Sequence, residues 1–116
     1  VAYTDLDLPA SGDSSAAIAA RVQEARTRQT TRFAGIANTR VNADMEGSTL
    51  EHFAAPDAES LAMLARVAER FGLSARGYHR VLRVARTIAD LDSADRISAQ
   101  HLSEAMAYRN LDRPVQ

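Results

Sequence analysis

The chain has 116 residues, which suits one domain able to bury roughly 65% of its unfolded surface. It contains no cysteine, which excludes disulfides, thiolate metal sites and a cysteine nucleophile. The net charge is −1, and all 14 basic residues are arginine, so overall charge does not mark a nucleic-acid binder. The arginines are unevenly spread: Arg21, Arg26, Arg28, Arg32 and Arg40 face only Glu24 within residues 21–40.

Residues 1–13 read as a flexible lead-in, because Pro9 and Gly12 break any helix there. The opening VAYTDLDLPASG has neither the basic nor the apolar region of a signal peptide. No apolar run reaches the length of a membrane span. A cytoplasmic protein without a membrane partner is therefore expected.

Residues 14–33 predict a helix capped by Asp13 or Ser14. Its stripe, Ile18, Val22, Ala25, Gln29 and Phe33, is thin and interrupted by Gln29. Such a helix packs over only part of its length. A loop follows over 34–47, with Gly35, Asn38, Asn42 and Gly47. Ser48 and Glu51 have the spacing of a capping box for a short helix through Ala54 or Ala55.

Pro56 marks the next boundary. Residues 57–71 place Leu61, Leu64, Val67, Ala68 and Phe71 on one face. Gly72 stands where a left-handed C-cap is wanted. Ser74 caps a helix over 75–91, whose stripe runs through Tyr78, Val81, Leu82, Ala85, Ile88 and Ala89. Arg76, Arg80 and Arg83 lie nearly opposite that stripe, and His79 and Arg86 lie on one flank. Asp90 and Asp92 read as solvated carboxylates at the helix end. A last helix runs from Ser98 through about Arg109, with Ile97 stapled onto Leu102, and Pro114 ends any helix. No alternating strand pattern is present. The expected fold is all-α, a four-helix bundle with one additional short helix.

No phosphate-binding loop exists, and none can without lysine. His52, His79 and His101 fall on three different helices, so they read as partly exposed structural residues and not as zinc ligands. No Gly-x-Ser-x-Gly elbow is present. The arginines of 72–91 remain. An arginine row opposite a core stripe is ordinarily a solvated face. Arg76 is unusual because it sits in the first turn, where the helix dipole disfavours a cation. A partner's anion would account for it. The segments 57–71 and 75–91 also match a helix-turn-helix superficially, with Arg76, His79 and Arg80 toward a major groove.

The segment LSARGYHRVLRVARTIADL, 73–91, resembles the signature of the magnesium chelatase C-terminal domain of ComM/YifB-type AAA+ ATPases. The stretches at 13–15, 21–29 and 32–33 resemble its opening helix, and 97–109 its closing helix. Asn38 matches an asparagine of the family. The resemblance implies a helical lid over residues 14–113, behind an ATPase core upstream. It implies that Arg76 is a sensor-2 arginine toward the phosphates of ATP, with magnesium present in the full-length protein only. Arg80, Arg83, Arg21, Arg28 and Arg32 become candidate phosphate or subunit-interface contacts. It further implies a homo-hexameric motor acting on DNA. By itself this chain is then expected to hold no catalytic residue, no metal and no tightly bound nucleotide. The alternative is a stand-alone helix-turn-helix DNA-binding module.

Overall fold

The structure is a computed structural model that describes residues 14–112, with side chains as far as Tyr108. The described residues form α1 (Ser15–Arg32), a 3₁₀ turn (Asn42–Asp44), α2 (Gly47–Phe53), α3 (Ala58–Phe71), α4 (Ala75–Leu91) and α5 (Ala99–Asp112). Among them the only sheet-like pairing is one isolated bridge between Pro56 and Ile97. The all-α expectation holds, with four long helices and a short one. The expected lead-in 1–13, the alternative cap Asp13 and the terminator Pro114 lie outside the described residues.

Caps explain where the helices begin and end. The hydroxyls of Ser14 and Ser74 accept the N–H of Ala17 and of Gly77, and the Asp57 carboxylate accepts that of Ser60. Each satisfies a donor that the first turn leaves without an intrahelical partner. Gly72 ends α3 in the left-handed region at φ 65. Leu73 N–H then returns to Ala68 O at 2.9 Å, closing a Schellman-type turn that glycine adopts without strain.

The capping box expected at Ser48 and Glu51 is not formed. α2 starts two residues earlier, at Gly47, with Glu46 as N-cap and no side-chain capping bond. The Glu46 carbonyl accepts the N–H groups of Thr49 and Leu50, so Ser48 already lies inside the helix. The cause is the segment before it. Met45 is fully buried, and anchoring it fixes where the chain can turn.

α4 is the central element, packed on α5, α1, α2 and the 3₁₀ turn. Its stripe supplies Val81, Leu82, Ala85 and Ala89 to a core completed by Phe33, Met45, Leu50, Ala54, Leu64, Ile97, Leu102 and Ala105. α1 behaves as its thin stripe predicts. Ala25 and Gln29 are buried, while Ile18 and Val22 remain exposed. α3 departs from expectation: Leu64 is fully buried, but Leu61 and Phe71 are exposed. α3 sits at the rim and packs against α5, so one part of its apolar face has no neighbour among the described residues.

Candidate functional site

The arginines divide between the two ends of α4. At the first turns, Arg76, His79 and Arg80 are exposed. Arg76 and His79 line an open cleft with Arg83, and the other wall is Ala43, Glu46 and Gly47 from the 3₁₀ turn and the start of α2. A second depression continues along α4 past Arg80, Arg83, Val84 and Thr87, again against Ala43. The wall is held locally. Asp44 Oδ2 accepts the backbone N–H of Arg40 at 3.0 Å and of Val41 at 3.2 Å. These two bonds, that from Arg40 first, hold its carboxyl below the usual range.

Arg83 is not simply solvated, as its place opposite the stripe predicts. It is half-buried, and its Nη1 donates to Met45 O at 3.2 Å. It therefore ties α4 to the opposite wall. Arg76 makes no hydrogen bond or ion pair among the described residues, and α4 has no acidic residue in its first turn. Its guanidinium fork is open toward the cleft.

At the other end the arginines are enclosed. Arg32 grips Asp90 with both nitrogens, Nη2 to Oδ1 at 2.6 Å and Nη1 to Oδ2 at 2.8 Å. Arg86 Nη2 lies 3.2 Å from Asp90 Oδ1. Asn42 Nδ2 donates to Asp90 Oδ2 at 2.8 Å and to Thr87 Oγ1 at 3.1 Å. Asn42 Oδ1 accepts from Arg32 Nη1, and its backbone N–H donates to Gln29 Oε1. Arg86 also donates to the carbonyls of Ala94 and Asp95. One expectation is thereby corrected. Asp90, expected to be solvated, is 1% exposed; Arg86, on the flank where helical phase puts it, is 3% exposed. Both are covered because α1, the 3₁₀ turn and the α4–α5 loop close over this end.

Burial opposes the Asp90 charge. The bonds from Arg32 and Asn42, with the positive charges of Arg86 and Arg32, outweigh it and hold the carboxyl below its ordinary 3.8. Burial likewise lowers Arg86, an effect that Asp90 opposes. Arg86 Nε is the one buried side-chain polar atom without a partner among the described residues.

Of the remaining candidates, Arg28 reaches Asp95 Oδ1 at 3.3 Å and Ser93 O at 3.2 Å, pinning α1 to the α4–α5 loop. Arg21 is exposed on the projecting half of α1. The structure thus brings Arg76 and Arg83 together with Arg80 alongside, and places Arg28 and Arg32 in a separate, inward-facing group. Sequence reasoning missed Asn42, Asp90 and Gln29 as members of that group.

His101 is also buried, at 5% exposure, where a partly exposed residue was expected. Its Nδ1 accepts the N–H of Ser98 at 3.0 Å, and Ser98 Oγ accepts the His101 N–H at 3.4 Å. This is a capping box with histidine in the place of glutamate. His101 Nε2 is left to donate to Asp92 Oδ2 at 3.1 Å. The Asp–His–Ser order is no nucleophile system, because the lone pair of Nδ1 already takes a backbone proton.

These features define a small helical domain that presents cations at the start of its central helix and closes its other end around a buried ion cluster. The family model for the magnesium chelatase subunit ChlI C-terminal domain matches residues 12–109, and the chain belongs to that family. It is 40% identical over 102 residues to the uncharacterized protein YifB of Escherichia coli K12, covering 88% of this chain and 19% of that protein. It is 35% identical over 105 residues to the competence protein ComM of Haemophilus influenzae, covering 90% of this chain and 20% of that protein. The chain is thus a C-terminal domain of the magnesium chelatase-like ComM/YifB kind, and it spans about a fifth of the length of these relatives.

Proposed function

We propose that this domain is the helical lid of an AAA+ ATPase whose core lies upstream, and that Arg76 is its sensor-2 arginine, directed at the phosphates of ATP. The observation that carries this reading is the setting of Arg76. It occupies the first turn of α4, where the dipole disfavours it by about 0.3–1 kcal/mol. It has no partner among the described residues and opens onto a cleft shared with His79 and Arg83. A guanidinium fork held there binds two phosphate oxygens and stabilises charge as the terminal phosphoryl group transfers.

Among the described residues no group of three or more His, Asp or Glu side chains is placed to hold a metal ion. Magnesium would arrive with the nucleotide and be held by the core. No described helix is long and apolar enough to cross a membrane. A cytoplasmic, homo-hexameric ring acting on DNA is the assembly this reading extends to the whole protein.

The helix-turn-helix alternative receives less support. A recognition helix needs a free face to enter a groove. Every residue of α4 from Val81 to Leu91 is buried or half-buried, so only its first turns carry exposed side chains.

The test is ATP turnover of the full-length protein, wild type against Arg76→Ala, with and without DNA. Lost turnover in a folded, assembled variant supports the sensor role. Intact basal turnover with reduced DNA stimulation assigns the arginine to nucleic acid instead.

A further inference from the structure

The cleft that holds Arg76 has one wall made by a helix and one made by a loop, and the loop wall needs something to hold it. Fourteen residues, 33–46, separate α1 from α2. A connection of this length, with only one 3₁₀ turn of its own, is set by tertiary contacts more than by local structure. Met45 supplies apolar anchoring. The polar anchoring converges on Asn42, which is 1% exposed.

We infer that Asn42 is a positioning residue for the Arg76 cleft. Its carboxamide joins Arg32, Thr87 and Asp90, and its backbone N–H joins Gln29, so one side chain fastens the loop to both α1 and α4. The next residue, Ala43, is already cleft wall, and Glu46 and Gly47 follow. Met45 O, between them, receives Arg83 from α4. The buried cluster therefore reaches the phosphate-facing surface through Asn42, over four residues of chain. An alanine at position 42 leaves Asp90 with one donor fewer and removes the side-chain ties of the wall to Arg32 and Thr87, while the backbone bond to Gln29 remains. The apolar core is untouched.

The inference rests on the sensor reading of Arg76, and a double-mutant cycle separates the two. ATP turnover and KM of the full-length protein are measured for wild type, Arg76→Ala, Asn42→Ala and the double variant. Leu82→Ala, alone and with Arg76→Ala, serves as a control that loosens the core elsewhere. All are assayed at a temperature where circular dichroism shows them folded.

Asn42→Ala is expected to lower kcat/KM about tenfold, because misplacing a positioned group by an ångström is costly. Adding Asn42→Ala to Arg76→Ala should produce little further loss, since both act on one interaction. The Leu82→Ala effect should instead multiply with that of Arg76→Ala. If Arg76→Ala leaves turnover intact, the sensor reading fails and this inference falls with it. If Arg76→Ala abolishes turnover but Asn42→Ala is silent, or multiplies as Leu82→Ala does, only the positioning role is overturned. Should Asn42→Ala not fold, Thr87→Val removes one acceptor of its carboxamide with little change of shape, and the same cycle is read with that variant.

Discussion

The two ends of α4 put the same side chain to opposite uses. Arg76 stands exposed in the first turn with no partner among the described residues, while Arg86 is enclosed and pairs with Asp90. Helical phase does not separate the two situations. His79 and Arg86 are seven residues apart and share a flank, yet one is exposed and the other buried. What separates them is cover. α1 and the α4–α5 loop close over the C-terminal end of the helix, and Arg28 and Arg32 reach that end from α1. An arginine with an internal carboxylate is part of the fold, and one left facing a cleft is available to a ligand.

The largest effect should come from breaking the enclosed end. Asp90→Ala removes the anion between Arg32 and Arg86 and leaves two poorly hydrated cations. The expected loss is about 3–5 kcal/mol in urea unfolding. A loss below about 1 kcal/mol would mean that water reaches this end and that the contrast between the two ends is false. The same carboxylate gives a pH signature. Its folded pKa is depressed below 3.8, so its contribution is complete above the unfolded value. It wanes as pH falls below that value and is gone once pH passes the folded one. Asp90→Asn should therefore flatten the acid limb of the stability curve relative to wild type between pH 5 and pH 2, taken as about the carboxylate range. Parallel limbs would assign the acid sensitivity to other groups, such as Asp44 and Asp57.

The sequence shows one end of α4 far better than the other. Periodicity and caps yield all five helices, the Gly72 turn and the core stripe of α4, because these depend on residues within a few positions of one another. The buried cluster joins residues 58 positions apart, Arg32 and Asp90. No local pattern states that pairing. The available signal was Arg86 with Asp90, one turn apart beside the stripe, together with Gln29 interrupting an apolar face. A polar residue inside such a stripe is a sign that a buried partner is supplied from elsewhere. Exposure of Leu61 and Phe71 was equally hidden, since a helix stripe reports which face is apolar and not how much of it a neighbour covers. Arg76 was legible because its oddity is local, a cation where the dipole disfavours it.

Smaller changes sharpen the comparison. Leu82→Ala, at 7% exposure in the middle of α4, should cost about 2–5 kcal/mol by leaving a cavity between the two ends. An unchanged melting curve would refute the core assignment of that face. Ser74→Ala removes the acceptor of Gly77 N–H and should cost about 1 kcal/mol. Because that cap fixes the turn carrying Arg76, hydrogen exchange at Gly77 and Tyr78 should accelerate while exchange at Ala85 and Ala89 stays slow. Uniform acceleration along the helix would show that its two ends unfold as one unit.

The smallest effect on stability is expected at Arg76 itself. Its replacement by alanine breaks no bond among the described residues and removes a cation from the positive end of a helix dipole. The change in unfolding free energy should lie within about 0.5 kcal/mol of wild type, with any shift toward greater stability. Arg32→Ala supplies the counterpart, since it strips two hydrogen bonds from a buried carboxylate and should destabilise by several times that amount. Thermal unfolding of the two variants side by side tests the division of α4. If Arg76→Ala lowers the midpoint as far as Arg32→Ala does, both ends of the helix serve the fold, and the cleft loses its free cation. If only Arg32→Ala does so, the position that costs least to alter in folding is the one left to act on a partner.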